Sequence, residues 1–159
     1  MVFSENEKLI TDAVNAWSDT VFRIAYQYAR NKSDAEDILQ EVFLTLLEKP
    51  PRLIKGNAAE ALKAWLIRVT INKSRDFLRA EKKRKKVMGG FEPSAPQDGH
   101  SEVFEALFRL PERDRNAVYL HYYEGYTARE IAGLLGGHER AVTKRICRAR
   151  EKLRRFLGE

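Results

Sequence analysis

Cysteine occurs once in this 159-residue chain, as Cys147, so no intrachain disulfide can form and nothing points to an oxidising compartment. Histidine is nearly as scarce. His100, His121 and His138 are the only three, and together with Cys147 they lack the paired spacing of a zinc site. No apolar run approaches the ~20 residues that span a bilayer, and charged residues interrupt the opening stretch where a secretory apolar core would lie. Runs of strand length with alternating apolar and polar residues are missing, which leaves an all-α fold as the expectation. A Ser-His-Asp order, a phosphate-cradling glycine loop and a paired carboxylate site are also lacking, so the chain reads as a non-enzyme that needs no metal or cofactor. The expected setting is the cytoplasm, with no membrane insertion.

What remains is apolar and basic. Hydrophobic residues make up 43% of the chain, enough for packed cores, and the formal charge is +6. A modest basic excess is common in proteins that bind no polyanion, so its distribution carries more information than its sum. Residues 34–48 are acidic, whereas residues 79–86 read RAEKKRKK. The following VMGGFEPSAPQDGHS, residues 87–101, has glycine, proline and small polar residues without helical period. It cannot bury enough apolar surface to offset its ordering entropy. Two small helical domains are therefore expected, residues 1–84 and 103–159, joined by a linker over residues 85–102.

Residues 110–153 form one device: a helix, a short capped helix, a glycine turn and a long basic helix. Thr127 suits an N-cap, and Glu130 three positions on completes a capping box, so a helix should start at Ala128 with Ile131, Leu134 and Leu135 on its core face. Gly136 and Gly137 stop it, because glycine takes the left-handed conformation without a side-chain penalty. The next helix opens at His138 or Glu139. Ala141, Val142, Ile146, Ala149 and Leu153 give it an apolar seam, and basic residues cover its other faces. A solvated basic helix in an ordinary bundle would share that composition, but the capping box and glycine turn upstream favour a helix-turn-helix that places this helix in the DNA major groove.

The first 84 residues are helical on period. Leu9, Ile10, Ala13, Val14 and Trp17 predict one helix, and Val21, Phe22, Ile24, Ala25 and Tyr28 a second. Ser33 with Glu36 predicts the cap of a third, ended by Pro50 and Pro51. A loop through Gly56 precedes a long helix from about Ala58, with Leu62, Trp65, Leu66, Val69, Lys73 and Phe77 at helical spacing. On the third helix Asp34, Asp37, Glu41 and Glu48, with Gln40 beside them, form a stripe that serves either as solvated surface or as a docking face for a basic partner. On the long helix Arg68, Lys73, Arg75 and Arg79 share space with Trp65, Asn72 and Phe77. The two aromatics are expected mainly in the core, although basic, aromatic and amide groups together are also what a single-stranded DNA site needs.

Three segments, SDAEDILQEVFLTLLE at 33–48, KAWLIRVTINKSRDFLR at 63–79 and LPERDRNAVYLHYYEGYTAREIAGLLG at 110–136, resemble bacterial RNA polymerase sigma factors of the extracytoplasmic-function group. The resemblance implies region 2 in the first domain and region 4 in the second, both held on core RNA polymerase through the β′ clamp helices and the β flap. Asp37, Gln40 and Glu41 would dock on the clamp helices. Arg68, Asn72, Lys73 and Arg79 would melt and read the −10 element of promoter DNA, Asn72 and the preceding loop holding an unstacked base. Arg140, Thr143, Lys144, Cys147 and Arg148 would face the −35 major groove. An anti-sigma factor is a further type of partner the family brings with it. The chain departs from the family pattern at Gly137, His138, Ala141 and Thr143 and lacks a phenylalanine near Leu62, so the promoter sequence does not follow from the resemblance. A DNA-binding regulator whose N-terminal helices sense a ligand or form a dimer is the competing reading.

Overall fold

The computed structural model describes residues 5–52, 58–89 and 102–158. These contain seven α-helices and no strand. The chain divides into two compact units, residues 1–98 and 99–159.

The first unit holds α1 (Glu5–Ala29), α2 (Lys32–Glu48) and α3 (Ala58–Val87), each packed on the other two. Its core takes Val21, Ile24 and Ala25 from α1, Ile38, Val42 and Leu46 from α2, and Leu62, Leu66, Ile67 and Ile71 from α3. Two expectations need correction. Leu9 to Tyr28 form one continuous helix rather than two, because the polar Ser18, Asp19 and Thr20 interrupt the apolar period without supplying a glycine or proline to stop the backbone. The cap of α2 is Asn31, not Ser33. Arg30 closes α1 in the left-handed region at φ 62°, which brings Asn31 into capping position. The Asn31 side-chain oxygen accepts from the Asp34 backbone N–H at 2.9 Å, and its amide donates to Asp34 Oδ2 at 2.7 Å. Pro50 and Pro51 do follow the end of α2 at Glu48. The loop expected through Gly56 lies largely in residues 53–57, outside the described residues.

α3 runs through the whole basic cluster to Val87, so the first residues expected in the linker are helical. Its last turn carries Arg84, Lys85 and Lys86, cations that suit the negative end of the helix dipole. The remainder of the expected linker, residues 90–101, lies outside the described residues, and His100 with it.

The second unit holds α4 (Glu102–Arg109), α5 (Glu112–Tyr122), α6 (Ala128–Leu135) and α7 (Glu139–Phe156). α5 and α6 pack on α7 and on each other, and α4 packs on α7. Leu107, Leu110, Val118 and Ala149 form one core cluster with Leu153 against it, while Ile131 is fully buried on α6. The sequence does not distinguish α4 as a helix of its own.

Candidate nucleic-acid interface

The turn between α6 and α7 is built as its residue types demand. Thr127 Oγ1 accepts from the Glu130 backbone N–H at 3.1 Å, and Glu130 Oε1 accepts from the Thr127 N–H at 3.0 Å, closing the capping box. The Thr127 backbone N–H first, and the Thr127 side chain second, hold the Glu130 carboxyl below its ordinary value of 4.5 by hydrogen bonding to it. Gly136 and Gly137 adopt φ 86° and 102°. A Cβ at either would meet nothing within 4 Å, so the backbone conformation rather than space calls for glycine there. His138 is the N-cap of α7.

α7 then presents two opposed faces. Val142, Ile146 and Ala149 are buried, and Leu153 extends their row. At about 100° per residue, Arg140, Thr143, Lys144, Cys147 and Arg148 fall together on the opposite side, and all five are exposed. Ala141, expected in the seam, is exposed beside them, a correction that follows from its lying a quarter-turn off the buried row. The Thr143 hydroxyl donates to the Glu139 carbonyl at 3.0 Å, which engages its proton within the helix and leaves both oxygen lone pairs as acceptors. Glu151 continues the same stripe one turn on and stands 3.7 Å from Arg154.

Sequence reasoning missed what braces α7. Asp114, in the first turn of α5, is buried, and its carboxylate lies 3.4 Å from Arg145 Nε, 3.8 Å from Arg148 Nη2 and 3.7 Å from Lys152 Nζ. Arg150 Nη1 also donates to the Tyr122 hydroxyl at 3.3 Å. Arg148 is therefore shared between the outward stripe and this internal anchor. An acidic residue at the start of α5 was visible in sequence. Its three partners lie on a different helix, and only the fold brings them to it.

The first unit carries two further surfaces. On α3, Arg68, Asn72 and Arg79 are exposed and share one face, opposite Leu66, Thr70 and Ser74. Arg79 is 3.7 Å from Asp76. Lys73 lies about 100° round the helix from Asn72, half-buried, with its Nζ 4.0 Å from Glu41 Oε2 on α2. Trp65 is only partly buried and Phe77 likewise, so neither is a full core residue. On α2, Asp37, Gln40 and Glu41 are all exposed on one face. Asp34 is drawn into the Asn31 cap instead. Leu44 and Leu47 sit within that acidic face at 53% and 48% exposure, although leucine is normally withdrawn from water. Their helical register, one turn beyond Gln40 and Glu41 for Leu44 and about two turns for Leu47, is the signal by which the sequence could have revealed them.

The family model for sigma-70 region 2 matches residues 13–84, and that for sigma-70 region 4 matches residues 100–153. The ECF RNA polymerase sigma factor SigM of Mycobacterium tuberculosis is 33% identical over 141 residues, an alignment covering 86% of this chain and 70% of SigM. The chain belongs to the extracytoplasmic-function sigma factors. These are factors for promoter-specific initiation of transcription, which decides against the ligand-sensing or dimeric regulator. A probable sigma factor of Xanthomonas campestris, RfaY, is 31% identical over 159 residues; the alignment covers 91% of this sigma factor but 39% of RfaY's length. The fold matches that of the sigma factor RpoE from Bartonella quintana, solved in complex with the anti-sigma factor NepR, with a TM-score of 0.79 at 21% identity over 95% of this chain and 98% of that one. Among the described residues no helix is long and apolar enough to cross a membrane.

Proposed function

We propose that this sigma factor binds core RNA polymerase through α2, melts and reads the −10 element with α3, and reads the −35 element with α7. The observation that carries the reading is the α7 stripe: five side chains able to contact base edges or phosphates on the exposed side of a helix that a capped turn, a buried seam and Asp114 hold in place. Arg140, Lys144 and Arg148 suit guanine O6 and N7 or phosphates, and the exposed Thr143 carries a methyl that suits a thymine methyl. Cys147 lies between them and adds close apolar contact. Glu151 would be repelled by phosphates, so the reading surface is confined to the first turns of α7 or ends on a cytosine amino group.

On α3, the Asn72 amide would hold an extruded −10 base while Arg68, Lys73 and Arg79 follow phosphates. Extruding a base costs on the order of a few kcal/mol, and a site that captures it can drive opening without ATP. On α2, Asp37, Gln40 and Glu41 would meet the basic β′ clamp helices, with Leu44 and Leu47 supplying the apolar contact that charge alone does not. The second unit would be held by the β flap. The neighbour bound to NepR supports an anti-sigma factor as a competitor for these surfaces. The chain would act in the cytoplasm, where polymerase and DNA are, and would perform no catalysis of its own.

Runoff transcription with core enzyme across a genomic library tests this. Discrete start sites sharing elements near −10 and −35 are expected. Initiation indistinguishable from that of core enzyme alone would refute it.

A further inference from the structure

The cations that meet Asp114 carry more charge than it can offset. Arg145 Nε, Arg148 Nη2 and Lys152 Nζ lie 3.4, 3.8 and 3.7 Å from one buried carboxylate. Beside them a recess of about 460 Å³ opens between the first turn of α5 and this flank of α7, and Pro111, Glu112 and Arg113 complete its lining. Four cations and two carboxylates line the recess, which leaves a surplus of two positive charges. The N–H groups of the first α5 turn add to that surplus. They have no partner within the helix, and the N-cap, Pro111, makes no side-chain hydrogen bond to them.

We infer that this recess is a binding site for a small phosphate monoester, free in solution. Such a group carries roughly 1.5–2 negative charges at neutral pH, which matches the surplus. Its oxygens can accept from the Arg145 and Arg148 guanidinium groups, from Lys152 and from the α5 N-terminus, all good partners for phosphate. The recess falls within the roughly 300–1,000 Å³ of small-molecule sites, so it has room for the organic part of an ester as well. The DNA backbone fits the site less well. Arg145 and Lys152 stand about 110–130° round α7 from the middle of the outward stripe, so DNA lying against that stripe does not cover the recess. Arg148 is the one cation common to both. A bound phosphate would hold Arg148 at the recess and away from the groove. That consequence, unlike the site, rests on the proposed reading of α7.

The test titrates the full chain with inorganic phosphate, against chloride at equal ionic strength, and follows amide and arginine side-chain signals by NMR. Saturable shifts centred on the Glu112, Arg113 and Asp114 amides and the Arg145 side chain are expected. The double variant Arg113→Gln, Lys152→Gln should bind phosphate roughly tenfold more weakly or worse, because it removes charged partners. Arg154→Gln, on the opposite side of α7, should bind it as wild type does. Phosphate should also weaken promoter binding by wild-type holoenzyme several-fold and leave that of the double variant unaffected. Shifts spread over every basic face without saturation, or an equal loss in Arg154→Gln, overturn the site in favour of general charge attraction. No shift in the first turn of α5, in a chain that circular dichroism shows to be helical, overturns it outright. Weaker promoter binding by the double variant, with no phosphate taken up by the free chain, overturns it and gives the recess to the DNA backbone. Saturable phosphate binding that leaves promoter binding unchanged upholds the site and overturns its link to Arg148. Wild-type holoenzyme that forms no promoter complex overturns the proposed reading and not the site, which the titration decides by itself.

Discussion

Arg145 Nε lies 3.4 Å from Asp114 Oδ1, joining the half-buried flank of α7 to a buried carboxylate in the first turn of α5. The pair is asymmetric: the Asp114 side chain is 7% exposed, whereas those of Arg145 and Lys152 reach 23% and 39% and that of Arg148 reaches 62%. Such an arrangement turns one withdrawn carboxylate into the orienting point for three cations.

Replacing Asp114 with Asn should therefore lower the stability of the second unit by about 1–3 kcal/mol, because it removes the buried charge that the three cations share. Urea denaturation followed by circular dichroism measures it. Arg148→Ala should cost far less stability, since most of that side chain is in water, yet should weaken promoter binding. A stability loss in Arg148→Ala as large as that in Asp114→Asn would assign Arg148 to the fold rather than to DNA.

Docking can be separated from folding on α2. Asp37→Lys should sharply reduce affinity for core polymerase while α2 stays helical, because like charge would face the proposed basic partner. Leu44→Ala combined with Leu47→Ala should also reduce it, with little change in stability given their exposure. Glu41→Lys is a less clean probe, since it also places a second cation beside Lys73. Normal core affinity in both Asp37→Lys and the double alanine variant would refute docking through this face.

Reading and melting should divide between the units. Lys144→Ala or Arg148→Ala should weaken binding through −35 by roughly 1–3 kcal/mol if the side chain removed makes a bidentate bond to a base. Asn72→Ala should leave initial duplex binding largely intact and reduce strand opening, and a premelted bubble should rescue it more than it rescues Arg148→Ala. Permanganate reactivity on duplex and bubble templates reports the difference. Equal rescue of both would remove the assignment of melting to α3.

The α6 cap should be sensitive to acid. The Glu130 carboxyl titrates below its ordinary value because of hydrogen bonds from Thr127. A carboxyl depressed on folding stabilises the folded state fully above its unfolded value, and that contribution disappears as pH falls through the folded one. Wild type should thus lose more stability than Glu130→Gln between neutral pH and the acid side of 4.5. Thr127→Ala should cost about 0.5–2 kcal/mol at neutral pH, and Thr127→Ser much less. Parallel melting-temperature curves for wild type and Glu130→Gln would contradict the linkage.

Local chemistry explains which elements were legible. The α6 cap, the glycine turn and the end of α2 before Pro50 and Pro51 are decided by a few adjacent residues, and sequence reads them at their observed positions. Where two local solutions compete, sequence cannot choose. Asn31 with Asp34 and Ser33 with Glu36 are both plausible caps for α2. The path out of α1, with Arg30 at φ 62°, selects the first. Likewise a polar interval such as Ser18 to Thr20 looks like a break in period, but a helix continues through it when neighbouring helices cover both flanks.

By itself the sequence determined the helical class and the capped turn that leads into α7, because periodicity and capping act over a few residues. Only the tertiary structure decided that Asp114 anchors Arg145, Arg148 and Lys152, that Lys73 reaches Glu41, and that Leu44 and Leu47 stay uncovered beside Asp37 and Gln40. Each of these depends on which helix faces which. That is set by burying many apolar side chains at once, so no single stretch of chain contains it.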